Sequence, residues 1–323
     1  MAKLTVLFAT LNGALTLPRM LDTLKRLEPP VGGWRIIAVD NGSTDDSLRM
    51  LREIAAELPM TIVSEPRRGK NIALNAGLSL AEGDVLVLTD DDVILPTDWL
   101  VKIQKIVTER ADFDVFGGAI YPVWEDVPPT WVLRCVPKGW LAWTDFPEGP
   151  VDADSIWGPN MAVRRTVIQR HRFAENIGPD GSGVYAMGSE TEFTMRLQES
   201  GHRCWHFHTP SVGHIIRPYQ LTPEWLLQRA YNLGRGQRRK FGIGKRDVAA
   251  SLIGYPTYLR PSLIKAARNV AVSHLFGNLD DRFKALSQLR YLQGDFAERS
   301  ALIKTRRSQA VRGLTGGKRE DAV

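Results

Sequence analysis

The feature that most constrains this 323-residue chain is an apolar run of strand length that stops at three consecutive carboxylates. Val85–Leu88 form a continuous apolar block. Thr89 then leads directly into Asp90, Asp91 and Asp92. A short block of this kind predicts a strand that is buried on both faces, as in a parallel sheet. Because ligands of open α/β sheets bind outside the carboxyl ends of the strands, the three aspartates indicate a binding site.

The three aspartates allow two interpretations. Carboxylates crowded at one strand end repel one another, and a bound hard cation keeps such a cluster ionised. Alternatively, the aspartates form a solvated acidic turn that caps a helix expected to start near Pro96. The three aspartates alone do not distinguish a cation site from a solvated turn, so the choice depends on the rest of the chain.

The first hundred residues alternate between strand and helix patterns. The predicted strands are Leu4–Thr10, Arg35–Val39, Met60–Ser64 and Asp84–Thr89. Amphipathic helices separate these strands, and we expect Ser43 or Thr44 to cap the second helix. Strands that alternate with helices of ten to fifteen residues form βαβ units with a parallel sheet. The predicted fold class is therefore α/β, with a mostly parallel sheet flanked by helices.

Beyond residue 100 the pattern changes twice. Residues 121–150 are rich in proline and tryptophan, which predicts a long surface excursion. From Pro223 to about Arg307 the periodicity is helical throughout. We therefore divide the chain into an α/β domain at residues 1–218 and a helical extension at residues 219–323.

Charge is distributed unevenly along the chain. The net charge is +6, but the residues from Arg217 to the end carry 21 Lys and Arg against 8 Asp and Glu, while the preceding residues sum to −7. A cationic extension on an acidic body fits an anionic partner, either a membrane surface or nucleic acid. The two cysteines are too few for a disulfide framework, and the chain contains no run of eighteen apolar residues and no secretory signal pattern. We expect a cytoplasmic protein.

Polar residues follow two other strands at the same edge of the predicted sheet. Asp40 ends the second strand, and Thr10 and Asn12 follow the first. In a parallel sheet these side chains point into one crevice with Asp90. Carboxylates there can accept hydrogen bonds from a nucleoside. Since the chain has neither a dinucleotide fingerprint nor a P-loop, a diphosphate bound in the crevice requires a metal ion to neutralise it.

Five segments, in chain order, resemble the family-2 glycosyltransferases of the GT-A fold, and the resemblance covers about Leu4 to Pro218. They are V-L-F-A-T-L-N, I-I-A-V-D-N-G-S-T-D-D-S, R-R-G-K-N-I-A-L-N-A-G, L-T-D-D-D and G-S-E-T-E-F. The second is similar to the family's nucleoside-binding segment, the fourth to its D-x-D metal motif, and the fifth to the segment that supplies the general base. The resemblance implies nucleotide-sugar binding by residues 1–120 and acceptor binding by residues 121–218.

The resemblance also implies roles for individual residues. Glu190 is the expected catalytic base, although the family has an aspartate there. Asp92 is the expected ligand of Mn²⁺ or Mg²⁺, with His214 as a second ligand. The remaining residues implied to bind the nucleotide sugar are Thr10, Asn12, Asp40, Arg68, Lys70, Asp90, Asp91 and Asn160. Of these, Asp40 is expected to accept a hydrogen bond from the nucleobase, usually uracil, and Asp90 is expected to contact the ribose.

The chain is therefore expected to be a metal-dependent inverting glycosyltransferase with a nucleoside-diphosphate sugar donor, UDP being the usual nucleotide, and a glycan or lipid-linked glycan acceptor. A sugar-phosphate nucleotidyltransferase is the alternative enzyme, but A-T-L-N-G-A-L lacks the cations of its loop. A nucleic-acid-binding protein is the non-enzymatic alternative, and we expect no nucleic acid as partner.

Two features of the basic extension remain open. Arg229–Lys240 places glycines among cations, which suits either a mobile loop that closes over a diphosphate or a basic solvated surface. One helical face farther along is apolar, with Lys265, Arg268 and Asn269 off it, and consists of Leu263, Ile264, Ala267, Val270, Ala271 and Leu275. A basic amphipathic helix of this kind either lies on the inner face of the cell membrane or packs on the catalytic domain.

Overall fold

The computed structural model describes residues 2–144, 146–249, 251 and 256–316. Its contacts divide the chain into two compact units. The α/β unit consists of Met1–Pro129, Val136–Ser182 and Ser189–Leu221. The helical unit consists of Thr130–Cys135, Gly183–Gly188 and Thr222–Val323. This division differs from the sequence-based division at residue 218 mainly because two short internal segments join the helical unit.

The described part of the α/β unit contains one sheet. Its strands are β1 (Leu4–Thr10), β2 (Trp34–Asp40), β3 (Met60–Ser64), β4 (Val85–Leu88), β5 (Val93–Ile94), β6 (Val115–Trp124), β7 (Gly149–Val151), β8 (Met161–Arg164) and β9 (Cys204–Ile216). The strand order is β3-β2-β1-β4-β8-β6-β9-β5, and β7 pairs with β9. Strands β1 to β4 are parallel to one another, as are β6 and β9, whereas β8 is antiparallel to both of its neighbours. The predicted α/β class with a mostly parallel sheet is confirmed.

Helices cover both faces of the sheet. The helices of this unit are α1 (Leu17–Lys25), α2 (Ser47–Ile54), α3 (Lys70–Leu78), α4 (Trp99–Glu109), α6 (Arg165–Ile168) and α7 (Ser189–Glu199). Because side chains alternate along a strand, Val6 and Phe8 of β1 lie in the core with α1, α2 and α4, while Leu7 lies in the core with α3 and α7. Both faces of the central strands are apolar for this reason.

The start of α2 differs from the prediction. Neither Ser43 nor Thr44 caps the helix, because α2 begins only at Ser47 with Asp46 as its N-cap residue. The hydroxyl of Ser43 accepts from the Asn12 N–H (3.0 Å), and the Thr44 N–H donates to the Asn12 side chain (2.8 Å). The two residues therefore join the loop after β2 to the loop after β1.

The helical unit is built around a close crossing of two long helices. Its helices are α5 (Thr130–Cys135), α8 (Pro223–Phe241), α9 (Lys245–Ala249), α10 (Arg260–Phe276) and α11 (Leu279–Gly316). A Cβ atom built on Gly234 of α8 would lie 2.0 Å from the Tyr291 carbonyl oxygen, and one built on Gly294 of α11 would lie 2.0 Å from that of Tyr231. Real Cβ atoms essentially never come within 3.0 Å of another heavy atom. Glycine at both positions is thus required by the approach of the two backbones.

The interpretation of Arg229–Lys240 as a mobile loop is wrong, because the segment lies inside α8. Its glycines face neighbouring backbone, so they permit packing and do not interrupt the helix. Arg235 pairs with the fully buried Glu298 (2.8 Å), and Arg238 pairs with Asp295 (2.8 Å). These cations are therefore neutralised within the helical unit.

A second ion-pair network in the helical unit includes Asp247 of α9. Its carboxylate accepts from the Tyr258 hydroxyl, from Arg299 and from the Gly244 N–H. Burial alone would raise the pKa of Asp247, but these three donors together hold it below its usual value. Arg299 also pairs with Asp295 (3.2 Å), which connects this network to the cations of α8.

The side of helix α10 that is exposed to solvent differs from the side that is buried. Ala266 and Ser273 are buried, whereas Ile264 and Leu275 are exposed to 68% and 75%. Among the described residues, no helix combines the length and the apolar character that crossing a membrane requires.

Candidate active site

The register of the sheet brings the predicted site residues to one edge. Thr10 at the end of β1 pairs with Asp40 at the end of β2, and β4 ends immediately before Thr89 on the other side of β1. Asp40 is buried, and its Oδ1 accepts from the Ser43 N–H (3.3 Å). The crevice at the carboxyl ends of β2, β1 and β4 is therefore lined by a hydroxyl and carboxylates, as the strand pattern predicts.

Asn12 is engaged by the loops around this crevice. It has a positive φ of 54°, and its Oδ1 accepts from the Thr44 N–H. The adjacent Gly13 N–H donates to the Ser47 hydroxyl (2.9 Å). Asn12 thus fixes the two loops against each other, and its contact with a nucleotide sugar stays a prediction.

Asn41 is a supporting residue that the sequence analysis did not single out. Its amide nitrogen donates to the carbonyls of Glu65 (2.9 Å) and Arg67 (2.7 Å), and its oxygen accepts from the Gly69 N–H (2.9 Å). These three bonds hold the segment between β3 and α3, which carries Arg68 and Lys70. The sequence signal for Asn41 is its place directly after the strand-ending aspartate.

Arg68 is an exposed cation on that segment. A Cβ built on Gly181 would lie 3.5 Å from its Nη1, and one built on Gly42 would lie 4.0 Å from its Nε. The guanidinium therefore lies between the loop that follows Asp40 and the loop that contains Gly181. Its contact with a base or a phosphate stays a prediction.

Lys70 at the start of α3 connects two carboxylates that are far apart in sequence. Its Nζ lies 2.7 Å from Asp90 Oδ1 and 2.8 Å from Glu190 Oε1. All three side chains are only about one-fifth exposed. Burial disfavours the ammonium, yet the two carboxylates raise the pKa of Lys70 well above its usual value. Lys70 thus joins the aspartate cluster to the predicted base.

Asp91 is not a solvated turn residue. The Thr10 hydroxyl donates to its Oδ2. Burial, together with the charges of Asp92 and Asp90, raises the pKa of Asp91 to about 7, in spite of the Thr10 hydroxyl. A Cβ on Gly13 would lie 2.5 Å from Asp91 Oδ2, so glycine at position 13 leaves room for this carboxylate. Negative charge at the end of β4 therefore exceeds what the neighbouring cations neutralise.

Asp92 is buried beside two basic side chains. Its Oδ2 accepts from Arg217 Nη2 (2.8 Å), and its Oδ1 lies 3.6 Å from His214 Nε2. Burial opposes ionisation, but His214 and Arg217 together lower the pKa of Asp92 to about 2. Arg217 was missed by the sequence analysis, although it follows His214 by three residues in H-I-I-R-P. Pairing of β5 with β9 places His214 opposite Val93, which explains its approach to Asp92.

Glu190 lies in the first turn of α7. Its Oε2 accepts from the Ser189 hydroxyl (2.7 Å), and a Cβ on Gly158 would lie 2.8 Å from its Oε1. Although burial alone would raise it, the pKa of Glu190 is lowered to about 2 by Lys70 and Ser189. The carboxylate is thus ionised at neutral pH and lies against the backbone at Gly158.

Asn160 lies at the end of the chain segment that enters β8, and it is fully buried. Its amide nitrogen donates to the carbonyls of Ala119 (3.1 Å) and Pro210 (3.0 Å), and its oxygen accepts from the Trp99 indole (3.0 Å). These bonds connect α4, β6, β8 and β9. A role for Asn160 in sugar binding stays a prediction, and its contacts make it a support of the sheet.

The residues around Asp92 fit a divalent cation only in part. Among the described residues, no three His, Cys, Asp or Glu side chains form a ready metal cluster. However, the Leu141 carbonyl lies 3.3 Å from His214 Nδ1, which directs Nε2 toward Asp92. Histidine ligands of metals commonly donate their other ring nitrogen to a carbonyl in this way. Two protein ligands are also sufficient for a Mg²⁺-like ion when substrate phosphates supply the others.

Comparison with known proteins gives one family. The family model described as Glycosyl transferase family 2 matches residues 5–172. Glycosyltransferase AglE of Haloferax volcanii is 22% identical over 282 residues, which cover 82% of this chain and 86% of AglE. An undecaprenyl-phosphate 4-deoxy-4-formamido-L-arabinose transferase of Proteus mirabilis is 29% identical over 120 residues, 36% of either chain.

Solved structures show the same fold. The mannosyltransferase PcManGT of Pyrobaculum calidifontis, in complex with GDP-Man and Mn²⁺, has a TM-score of 0.59 at 20% identity and covers 92% of this chain and 87% of its own. Residues 1–349 of S. aureus TarS, in complex with UDP-GlcNAc, have a TM-score of 0.54 at 14% identity and cover 95% of this chain and 92% of their own. The GT-A fold is thereby confirmed.

Proposed function

Since this chain belongs to glycosyl transferase family 2 and is an enzyme of the transferase class, we propose that it moves a sugar from a nucleoside-diphosphate donor to a glycan or lipid-linked glycan, with inversion at the anomeric carbon. The observation that carries the proposal is the position of Lys70 between Asp90 and Glu190. This contact joins the predicted donor side of the site and the predicted base into one charged cluster.

In the proposed reaction the acceptor oxygen attacks the anomeric carbon. The Glu190 carboxylate takes the hydroxyl proton while the new oxygen–carbon bond forms, and the bond from that carbon to the diphosphate oxygen breaks on the opposite face. The electron pair of the broken bond leaves with the nucleoside diphosphate. A positioned carboxylate base contributes typically about 10²- to 10⁴-fold to such a step.

The charges of the site support these assignments. Glu190 is held ionised by Lys70 and Ser189, which is the protonation state that a base requires, although the lowered pKa also makes the carboxylate a weaker base. Lys70 and the exposed Arg68 are the cations that we assign to a bound diphosphate. A divalent cation, when bound, would be held by Asp92 and His214 and would stabilise negative charge on the departing diphosphate.

The relatives support the classes of donor and acceptor. The two structural neighbours bind GDP-Man and UDP-GlcNAc, so a nucleotide sugar is the expected donor. UDP remains the first nucleotide to test, because Asp40 lies in a segment similar to the family's nucleoside-binding segment. The Proteus relative is an undecaprenyl-phosphate transferase, which favours a lipid-linked acceptor. Such an acceptor would place the enzyme at the cytoplasmic face of a membrane.

The proposal is tested by ligand-dependent thermal stability. We would melt the purified protein with a panel of nucleoside diphosphates, with and without Mn²⁺, for wild type, Asp92→Ala and the control Asp112→Ala. Asp112 is an exposed carboxylate paired with Arg203, so its loss leaves the site intact. A ligand at 100 times its Kd adds about 2.7 kcal/mol to the free energy of unfolding.

We expect one nucleotide to stabilise wild type and Asp112→Ala only with metal, and Asp92→Ala not at all. If the nucleotide still stabilises Glu190→Gln but this variant turns over more slowly by about 10²-fold or more, Glu190 is the catalytic base. If no nucleotide raises the melting temperature of wild type, the crevice is not a donor site and the proposal fails.

A further inference from the structure

Helix α10 presents large apolar side chains to solvent. Ile264, Val272, Leu275 and Phe276 are exposed to 68%, 47%, 75% and 85%, and Leu279 just beyond the helix to 75%. Single exposed apolar residues are common, but a group of five within sixteen residues is not explained in that way. This group is called the α10 surface below.

The exposed residues lie on the face opposite to the packed one. With 3.6 residues per turn, Ile264 and Leu275 are eleven positions apart and share a side of the helix, and Val272 and Phe276 lie beside them. The buried Ala266 lies on the other side. The helix thus presents large apolar side chains to solvent that its own unit does not cover, so these side chains are not needed for packing within the unit.

The charges around the α10 surface are mainly positive. Helix α10 contains Arg260, Lys265 and Arg268, all exposed, and no Asp or Glu. At the start of α11, Asp280 is paired with Arg134 (2.8 Å), and Asp281 is followed by Arg282. Residues 260–284 carry a net charge of +3. Long basic side chains beside exposed apolar ones can keep their charges in water while their stems cover apolar surface.

We propose that the α10 surface binds the surface of an anionic lipid bilayer, with its apolar side chains among the acyl chains and Lys265 and Arg268 at the phosphate level. The positive charge of this surface favours an anionic bilayer over a second copy of the chain as its partner. In a two-fold dimer the same patch faces itself, so like charges would meet, whereas anionic lipids attract each cation. The inference depends on α10 alone and does not require the proposed transfer reaction.

The experiment is flotation of the full chain with vesicles of phosphatidylcholine alone or of phosphatidylcholine mixed with anionic phosphatidylglycerol, whose negative surface potential attracts basic residues. The variants are Ile264→Asp with Leu275→Asp, and Lys265→Gln with Arg268→Gln. The matched control carries the same charge change at two exposed valines of the α/β unit, Val31→Asp with Val127→Asp, which are exposed to 64% and 84%.

We expect wild type and the control to bind the anionic vesicles and to bind neutral vesicles much more weakly. The aspartate pair in α10 should lower binding at least tenfold, and each lost cation should lower it about fivefold. If circular dichroism shows that the Ile264→Asp, Leu275→Asp variant does not fold, the Lys265→Gln, Arg268→Gln variant tests the lipid proposal in its place.

Three results would overturn the proposal: no binding of wild type to anionic vesicles, equal binding by wild type and both α10 variants, or a dimer that the aspartate pair dissociates in the absence of lipid binding. Nucleotide-dependent melting in these variants remains as in wild type if the proposed reaction is right. Failure of the lipid proposal is therefore distinguishable from failure of the proposed function.

Discussion

Substitution of Gly234 by alanine tests the close crossing of α8 and α11, because two effects of opposite sign compete there. Alanine in a helix interior is more favourable than glycine by about 1 kcal/mol. However, the new Cβ would lie 2.0 Å from the Tyr291 carbonyl oxygen and 3.0 Å from the Asp295 nitrogen. Both neighbours are backbone atoms, so no side-chain rotation can relieve the overlap.

Relief requires that the two helices separate locally by about 1 Å or more. Overpacking of this kind costs typically about 1–3 kcal/mol. We take the upper end because the contact is with backbone, so after the gain in helix propensity the net loss is about 2 kcal/mol. Gly294→Ala should cost a similar amount, since its Cβ would lie 2.0 Å from the Tyr231 carbonyl oxygen.

The assay is urea unfolding followed by circular dichroism, with Gly183→Ala as the control. A Cβ on Gly183 has no heavy atom within 4 Å, so this variant should stay within about 0.5 kcal/mol of wild type. The double variant Gly234→Ala, Gly294→Ala should lose less than the sum of the single losses, because one separation of the helices relieves both overlaps. If Gly234→Ala is as stable as wild type or more stable, the helices do not cross as closely as described and the reasoning is refuted.

Three further variants test the site and the ion-pair networks. Lys70→Met leaves Asp90 and Glu190 without their cation and should lower the free energy of unfolding by about 3 kcal/mol, the lower end for a buried pair. Lys102→Met, which loses an exposed i,i+4 pair, should change it by less than about 0.5 kcal/mol, and urea unfolding measures both. Asn41→Ala removes three hydrogen bonds of a buried side chain, and we expect a loss of about 2–3 kcal/mol together with weaker nucleotide-dependent stabilisation in the melting assay. The pKa of Asp247 is lowered in the folded state, so its stabilisation is present above about pH 4 and is lost as the pH falls further. Asp247→Asn should therefore reduce the difference in unfolding free energy between pH 7 and pH 3, and an unchanged difference would contradict this assignment.

The strand-end residues were predictable because they follow from local patterns. An apolar block ending in Asp90 and another ending in Asp40 predict buried parallel strands, and parallel strands bring their carboxyl ends to one edge. The register of β1 with β2 and β4 has this arrangement. Sequence reasoning could go this far because strand periodicity and the direction of the carboxyl ends depend on residues that are close together in the chain.

The partners of those residues were not predictable in the same way. Lys70 meets Glu190 across 120 positions, and Arg217 meets Asp92 across 125. Local patterns contain no information about such distances, because they depend on the order of strands in the whole sheet. The family resemblance implies that Lys70 binds the nucleotide sugar, which stays a prediction, whereas its contacts with Asp90 and Glu190 show that it links the acidic cluster to the expected base.

The basic C-terminal third illustrates a limit of counting charges. Its excess of cations suggested one basic surface, yet Arg235, Arg238 and Arg299 are mostly buried and paired with carboxylates of the same unit. Because those charges are neutralised by partners within the unit, they contribute little to attraction at a distance. The exposed cations of α10 have no acidic residue on their own helix. These cations lie beside exposed apolar side chains, and the number of basic residues in the segment alone does not identify them.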